Sequence, residues 1–172
     1  GNLVSIGGTD LDSQTLLDNL LITHKLTGHT DFKAVTPVTS VAAFMTSPEN
    51  INTALGLESS IDIYSFDPVA NKGDGGVNDY LYEKGNQLTA LTYAIQNITN
   101  DLNTTTETTQ DYFKALSDEL EKEFTETSAK VDIETEAFIT KFLENVITLK
   151  TLTIADEAKV NTTAALASVL PV

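Results

Sequence analysis

The sequence predicts a mainly α-helical fold: an antiparallel bundle of long helices, preceded by a short N-terminal β or loop segment and two short helices that begin with proline. Two observations favour this fold. All nine glycines lie at or before Gly85, and residues 86–170 contain neither glycine nor proline. Apolar residues in that stretch recur at steps of three and four, which is the spacing of one helix face. A stretch this long without helix-breaking residues is typical of helices that pack against one another.

Turn and strand signals come first along the chain. GGTDLDS at 7–13 predicts a turn, and LLITHKL at 20–26 predicts a short strand. GDGG at 73–76 lacks the residue pattern of a phosphate-binding loop. It therefore predicts only a flexible hinge into the long helices. We therefore expect residues 1–76 to contain only turns and short secondary-structure elements.

Two hydroxyl–proline pairs, Thr36-Pro37 and Ser47-Pro48, explain the position of two of the four prolines. In each pair the hydroxyl residue suits the cap of a helix, and proline suits the first helical position. The pairs predict short helices over 37–45 and 48–55, and Gly56 is expected to end the second.

Three apolar stripes locate the long helices. They consist of Leu88, Leu91, Ile95, Ile98 and Leu102; Phe113, Leu116, Leu120 and Phe124; and Phe138, Phe142, Val146 and Leu149. The first stripe predicts a helix from about Val77 to Leu102. Residues 125–132 weaken the pattern without a glycine or proline, so the other two stripes predict one long helix over 107–150, about 44 residues and 66 Å long. Two separate helices are the alternative. A capping box from Thr104 to Glu107 would begin this region, and a last amphipathic segment would run from Ile154 to Leu170.

The length of 172 residues favours a single domain. We expect residues 1–76 to form an N-terminal cap of strand, loop and short helices. Residues 77–172 are expected to form the long-helix bundle.

The negative net charge of the chain disfavours nucleic acid as a partner. Its ten basic residues, all lysines, face 25 acidic residues, which gives a net charge of −15. Such a chain repels phosphate backbones and lacks arginine, so nucleic-acid binding is not expected. The apolar runs are too short for membrane insertion. The absence of cysteine excludes a disulfide scaffold and a cysteine-based zinc site.

Three segments of the N-terminal third carry a resemblance. They are GGTDLDSQTLLDNLLITHKL at 7–26, VTPVTSVAAF at 35–44 and INTALGLESSIDIYSFDPVA at 51–70. Together they resemble a helical module of large bacterial secreted and cell-surface proteins of the adhesin type, although Ser40 and Val41 stand where threonine and leucine are more usual. The resemblance implies an extracellular, adhesive setting and brings no catalytic residues with it.

Five aspartates are candidate calcium ligands. Asp10 and Asp12 lie in the glycine-rich turn, and Asp62, Asp67 and Asp74 bracket a second loop-like stretch. Calcium prefers six to eight oxygen ligands from flexible loops, so calcium is the one cofactor that the sequence suggests. Neither group matches an EF-hand loop or a nonapeptide calcium repeat. The alternative is that Asp62 and Asp67 cap helices or form turns.

The sequence gives less support for a zinc site or a hydrolytic site. His24 and His29 are the only histidines, and their spacing of five suits neither one strand face nor a helical ligand pair, so no zinc site is expected. No GxSxG motif accompanies the few serines, and tryptophan and arginine are absent, which disfavours a small hydrolase.

The sequence therefore predicts a non-enzymatic module of a bacterial extracellular protein, acting as a spacer, assembly or adhesion element. Its expected partners are neighbouring domains of the same chain and a surface glycan or protein. The first residue is Gly1 and no signal peptide follows it, so we expect a processed or excised part of a larger chain. The alternative function is a binding module, in which a groove between the short and long helices receives a peptide, glycan or hydrophobic ligand. A small hydrolase is the third hypothesis.

Overall fold

A computed structural model describes residues 2–6, 21–25, 34–65, 67–68, 73, 75–102, 108–149 and 163–168. Strands β1 (Asn2–Ile6) and β2 (Leu21–Lys25) pair in an antiparallel ribbon. The helices are α1 (Pro37–Phe44), α2 (Ile51–Ala54), α3 (Val77–Leu102), α4 (Thr109–Thr127) and α5 (Glu136–Leu149), with a 3-10 turn at Pro48–Asn50 and a helical stretch at 163–168. The mainly α-helical prediction is confirmed.

Both short helices begin where the hydroxyl–proline pairs predicted. At α1 the Thr36 hydroxyl accepts a hydrogen bond from the Thr39 N–H (3.1 Å), and the Thr39 hydroxyl accepts one from the Thr36 N–H (2.8 Å). This reciprocal pair satisfies two of the N–H groups that a helix start leaves open. The second short helix is a 3-10 turn that leads into α2, and Gly56 ends it with φ of 73°.

The capping role predicted for Ser47 is wrong in detail, since its side chain makes no capping hydrogen bond. The carboxylate of Glu121 on α4 instead binds the chain just before the 3-10 turn. It accepts hydrogen bonds from the backbone N–H groups of Thr46 (2.9 Å) and Ser47 (2.7 Å). We name this contact the Glu121 clamp. A partner 74 residues away in sequence cannot be found from a local capping pattern.

The three long helices run antiparallel to their neighbours. Lys141 on α5 pairs with Glu123 on α4 (3.2 Å), and Asn145 donates to the Ala115 carbonyl (3.2 Å). The later of the two α5 residues contacts the earlier of the two α4 residues, so these two helices are antiparallel. The Lys84 Nζ atom, near the start of α3, lies 3.8 Å from the Glu134 Oε1 atom, which follows the end of α4. Helices α3 and α4 are therefore antiparallel as well.

Two buried polar contacts fix the register of α3 against α4. The hydroxyls of Thr99 and Tyr112 lie 2.7 Å apart, and the Thr109 hydroxyl donates to the Gln96 side-chain oxygen (3.3 Å). All four side chains are buried. A buried hydroxyl or amide without a partner is costly, so sliding α3 past α4 would be opposed by the loss of both contacts.

The single long helix expected over 107–150 is wrong, and the alternative of two helices holds. Helix α4 ends at Thr127, and Ser128 takes the left-handed conformation with φ of 53°. Its N–H donates to the Phe124 carbonyl (2.7 Å), which closes the helix. Glycine usually occupies this position, so a serine there gave no signal for a helix end.

Residues 128–135, which we call the α4–α5 turn, are held by contacts to α2. Val131 and Ile133 are both buried, and the Val131 N–H donates to the Ala54 carbonyl (2.9 Å). Two residues separated by one position face opposite sides of a helix but the same side of an extended chain. The Thr135 hydroxyl then accepts from the Phe138 N–H (3.2 Å) and caps α5.

The buried apolar residues form one cluster that all of α1 to α5 share. Helix α1 packs on α3 and α4, and β2 packs on α1. The largest side chains that are fully buried come from the three predicted stripes and their neighbours; they include Leu88, Leu91, Ile95, Phe113, Leu116, Leu120, Phe138 and Phe142. The stripes therefore face a common interior, as expected of an amphipathic bundle.

Some predictions concern residues that lie outside the described ones. These are the turn at 7–13, the capping box at 104–107, and most of the segment 154–170, of which 163–168 is helical. The strand at 20–26 is confirmed as β2. Strand β1 was not predicted, because NLVSI lacks the strict alternation of apolar and polar residues that marks a strand. In the described part of the chain, no helix combines the length and hydropathy that crossing a bilayer requires.

Candidate functional site

A hollow on the described surface lies between β1, the start of α1 and the first half of α3. It has a volume of about 530 Å³, within the usual size of ligand sites. We call it the α1–α3 groove. Its walls are formed by Leu3, Val4, Ser5, Ala34, Val35, Thr36, Pro37, Asp67, Pro68, Leu81, Tyr82, Gly85 and Asn86.

The floor of the groove is apolar and its shape follows from two local features. Leu81 and Gly85 stand one turn apart on α3, so both face the start of α1. Pro37 occupies the first turn of α1 and approaches Gly85 closely. A methyl group placed on Gly85 would lie 3.6 Å from the Pro37 Cδ atom, which is an ordinary van der Waals contact.

Gly85 is therefore a glycine that the fold does not require. It lies inside a regular helix and is not among the residues with positive φ. Glycine in a helix interior costs about 0.5–1 kcal/mol relative to alanine. Neither its backbone conformation nor steric crowding explains why alanine does not stand here. Gly85 is itself buried, and the position of its missing side chain faces the ring of Pro37.

Polar groups lie along the groove. Asn86 and Ser5 are exposed, and neither side chain makes a hydrogen bond with another residue that the structure describes. Asp67 is the one formally charged side chain among the lining residues. The groove therefore combines an apolar floor with an amide, a hydroxyl and a carboxylate, a mixture typical of binding sites rather than of reactive centres.

A second, smaller hollow of about 310 Å³ lies between the loop after α2 and the first turn of α3. Its lining residues include Leu57, Ile61, Val77 and Tyr80. Tyr80 is 60% exposed, the most exposed large apolar side chain among the described residues. The loop is held in shape by Asn52, whose side-chain amide donates to the carbonyls of Glu58 (3.2 Å) and Ile61 (2.7 Å).

In comparisons with protein-family models, curated proteins and solved structures, no match was found. The resemblance to adhesin-type modules thus depends on the sequence motifs alone.

Of the five predicted calcium ligands, Asp62 and Asp67 lie in the described part of the chain. Asp62 acts as a turn former: its carboxylate accepts hydrogen bonds from the Tyr64 N–H (3.1 Å) and from the Ser65 hydroxyl. Asp67 lines the α1–α3 groove. Asp10, Asp12 and Asp74 lie outside the described residues. Within those residues, no group of three or more acidic, histidine or cysteine side chains could hold a metal ion. Calcium binding stays a prediction.

The two histidines give no further site. His24 lies on β2 opposite Leu3, and His29 lies outside the described residues. The described residues that line the two hollows include no histidine, and their titratable side chains are Asp67, Tyr82, Glu58 and Tyr80. This described set contains no nucleophile paired with a histidine as general base, the arrangement common in covalent hydrolases.

Glu119 is a buried carboxylate that the sequence analysis missed. It is only 4% exposed on α4. Burial raises its pKa, and the charges of Glu123 and Glu126 add to that effect, whereas Lys122 and Lys141 oppose it. Its burial could not be inferred from the sequence of α4 alone, because burial depends on how the neighbouring helices pack. It lines neither hollow, so it is a structural feature of the bundle and not part of the candidate site.

We expect Glu119→Gln to raise the melting temperature at pH 7. The pKa of Glu119 in the folded chain lies above its ordinary value of 4.5, so the folded state favours the protonated form. The ionised carboxylate therefore destabilises the fold, increasingly as the pH rises through the folded pKa. The difference between variant and wild type should shrink as the pH falls and disappear below about 4.5.

The measurement is thermal unfolding of both proteins from pH 4 to pH 8, and Glu126→Gln is the matched control because Glu126 is exposed. That control should change stability little at any of these pH values. A Glu119→Gln protein that is less stable than wild type at pH 7 would contradict the prediction, and would mean that Lys122, 3.9 Å away, needs the ionised partner.

Proposed function

We propose that the chain is a non-enzymatic spacer or assembly module of a bacterial extracellular protein. The observation that supports this most is the filled interior of the bundle: the apolar stripes of α3, α4 and α5 share one buried cluster. A close-packed helical interior resists compression and keeps its length. The extracellular setting is proposed from the sequence resemblance, and the strongly acidic surface is compatible with it.

Several contacts tie the short elements to the long helices, as a module of fixed shape requires. The Glu121 clamp joins α4 to the chain before the 3-10 turn, and the Val131–Ala54 hydrogen bond joins the α4–α5 turn to α2.

The spacer proposal is tested by measuring whether the length of the bundle is constant. Thr108 and Ala129 are exposed and lie at the two ends of α4. The sequence has no cysteine, so cysteines introduced at these positions can each carry a spin label without side reactions. At 1.5 Å per residue, the label-bearing backbone positions should lie about 30 Å apart.

A spacer should give a narrow distance distribution by double electron–electron resonance that is unchanged from low salt to about 1 M salt. The same labelled protein in denaturant provides the broad distribution for comparison. A distribution in native buffer that is broad, or that shifts with salt, would contradict the spacer role.

A binding module is the second candidate function, and the α1–α3 groove is the observation that favours it. The groove lies beside α1, one of the two short helices, and against α3, as the binding hypothesis required of its site. A ligand that binds only the native state raises the melting temperature, which gives a direct test with candidate peptides and glycans.

A further inference from the structure

We propose that α5 opens away from α4 less often in acid than at neutral pH, because the carboxyl group of Glu119 lies in the interface between these two helices. The inference concerns a conformational property of the fold and goes beyond both candidate functions. Three observations carry it: the position of Glu119 between two contacts of α4 with α5, its burial without a hydrogen bond, and the packing of α5 chiefly on α4.

The position of Glu119 on α4 places it against α5. Ala115, Glu119 and Glu123 follow one another at steps of four, so they lie along one face of α4. At one end of this row, Asn145 of α5 donates to the Ala115 carbonyl (3.2 Å). At the other end, Lys141 of α5 pairs with Glu123 (3.2 Å). Glu119 therefore lies between two points at which α5 contacts α4, and an opening of α5 would return its carboxyl group to water.

The carboxyl group of Glu119 is poorly compensated while α5 covers it. The residue is 4% exposed, and its carboxyl group makes no hydrogen bond with another residue in the described part of the chain. Its ion pair is with Lys122, whose Nζ atom lies 3.9 Å from the Oε2 atom of Glu119, beyond hydrogen-bond distance. An ionised carboxylate in such surroundings is unfavourable, whereas the neutral acid is tolerated more readily.

The described charges that act on Glu119 come from α4 and α5. Burial is the main cause that raises its pKa above 4.5. Lys122 on α4 and Lys141 on α5 lower the pKa, and Glu123 and Glu126 on α4 raise it. Helices α1 and α2 have no charged residue, and no charge in the described part of α3 contributes. The docked position of α5 therefore favours the neutral acid, and the open position favours the ionised one.

Helix α5 is suited to open on its own. Among the described elements, α4 is the one on which α5 chiefly packs, whereas α1, α3 and α4 pack on one another. Elements with fewer partners open locally at a lower free energy than the whole fold. The buried side chains of Phe138 and Phe142 keep α5 docked at every pH, so the charge on Glu119 changes how often α5 opens.

Native-state hydrogen exchange of the α5 amides tests the inference. Opening equilibrium constants are measured for Phe142, Leu143 and Val146 between pH 4.5 and pH 7.5, after correction for the pH dependence of exchange in an unstructured chain. In the wild type the opening constant should rise with pH, about tenfold for each unit by which docking of α5 raises the pKa of Glu119. Glu119→Gln should lack this rise. The other carboxylates are common to both proteins, so the difference between them isolates Glu119.

Two further variants complete the test. Glu144→Gln is the matched control, because Glu144 is an exposed carboxylate of α5 that does not act on Glu119, and it should keep the rise of the wild type. Lys141→Met removes a cation that lowers the pKa of Glu119, so its rise should be larger.

Two results would overturn the inference. One is the same pH dependence of the opening constant in Glu119→Gln as in the wild type. The other is exchange of the α5 amides at the rate of the slowest α3 amides at every pH, because α5 would then open only when the whole bundle unfolds. In that second case Glu119→Gln would still raise the melting temperature, so the failure of this inference is distinguishable from that of the stability prediction.

Discussion

Replacing Phe142 with alanine is expected to lower the free energy of unfolding by about 3–5 kcal/mol. Phe142 lies on α5 and is 0% exposed. Truncating its ring removes the apolar surface that it buries and leaves a cavity, because a close-packed interior relaxes only in part. Helix α5 has 14 residues, and a helix of that length takes most of its stability from tertiary packing, so the loss should be large.

Urea unfolding followed by circular dichroism measures this effect, and a constant dependence on urea concentration would show that the two-state comparison is valid. Leu149→Ala is the matched control, because Leu149 lies on the same helix and stripe but is 50% exposed. It should cost less than about 1 kcal/mol. If Phe142→Ala cost no more than Leu149→Ala, α5 would not pack on the bundle as described.

Ile133→Ala is expected to cost about 2–4 kcal/mol, because Ile133 is only 3% exposed in the α4–α5 turn. The alternative of one continuous helix gives a different expectation. In a helix, Val131 and Ile133 would be about 200° apart around the axis, so both could not face the core. Alanine, the best helix former, would then cost little at one of the two positions.

The Ser128→Gly variant should change the free energy of unfolding in opposite directions for a helix break and for a continuous helix. Ser128 has φ of 53°, where glycine is free of the strain that other residues carry, so the variant should be more stable by up to about 1 kcal/mol. In a continuous helix the same change would be destabilising by about 0.5 kcal/mol. Chemical unfolding of both variants decides the matter. A neutral Ile133→Ala together with a destabilised Ser128→Gly would contradict the break between α4 and α5.

The long-helix region shows what periodicity can and cannot establish. The bounds of α3 were predicted because GDGG at 73–76 precedes its start and a regular stripe from Leu88 to Leu102 marks its second half. The start of α1 was predicted because Thr36 and Pro37 act locally. The end of α4 was not, since Ser128 is an uncommon residue for a left-handed position and the turn is held by Ala54 on a distant helix. Local residue patterns cannot report a hydrogen bond of that kind.

The candidate site was foreseen only in outline. A groove between short and long helices was predicted, but β1 contributes a wall that the sequence did not indicate as a strand. The stretch without glycine or proline begins at residue 86, so Gly85 marked a boundary in the sequence while it stands inside α3. For Asp62, the alternative interpretation as a turn former is the one that the structure supports.

The Glu121 clamp has a consequence for how a pulling force would travel through the molecule. Thr46 and Ser47 are bound through their backbone directly after α1, so tension applied from the N-terminus passes through α1 and is transferred to α4 at this clamp. The Val131–Ala54 bond attaches the same stretch of chain at a second point, one turn beyond the end of α4. Two anchors on residues 46–54 share the load, so this segment should resist detachment from α4 and from the α4–α5 turn even after α1 has been pulled away.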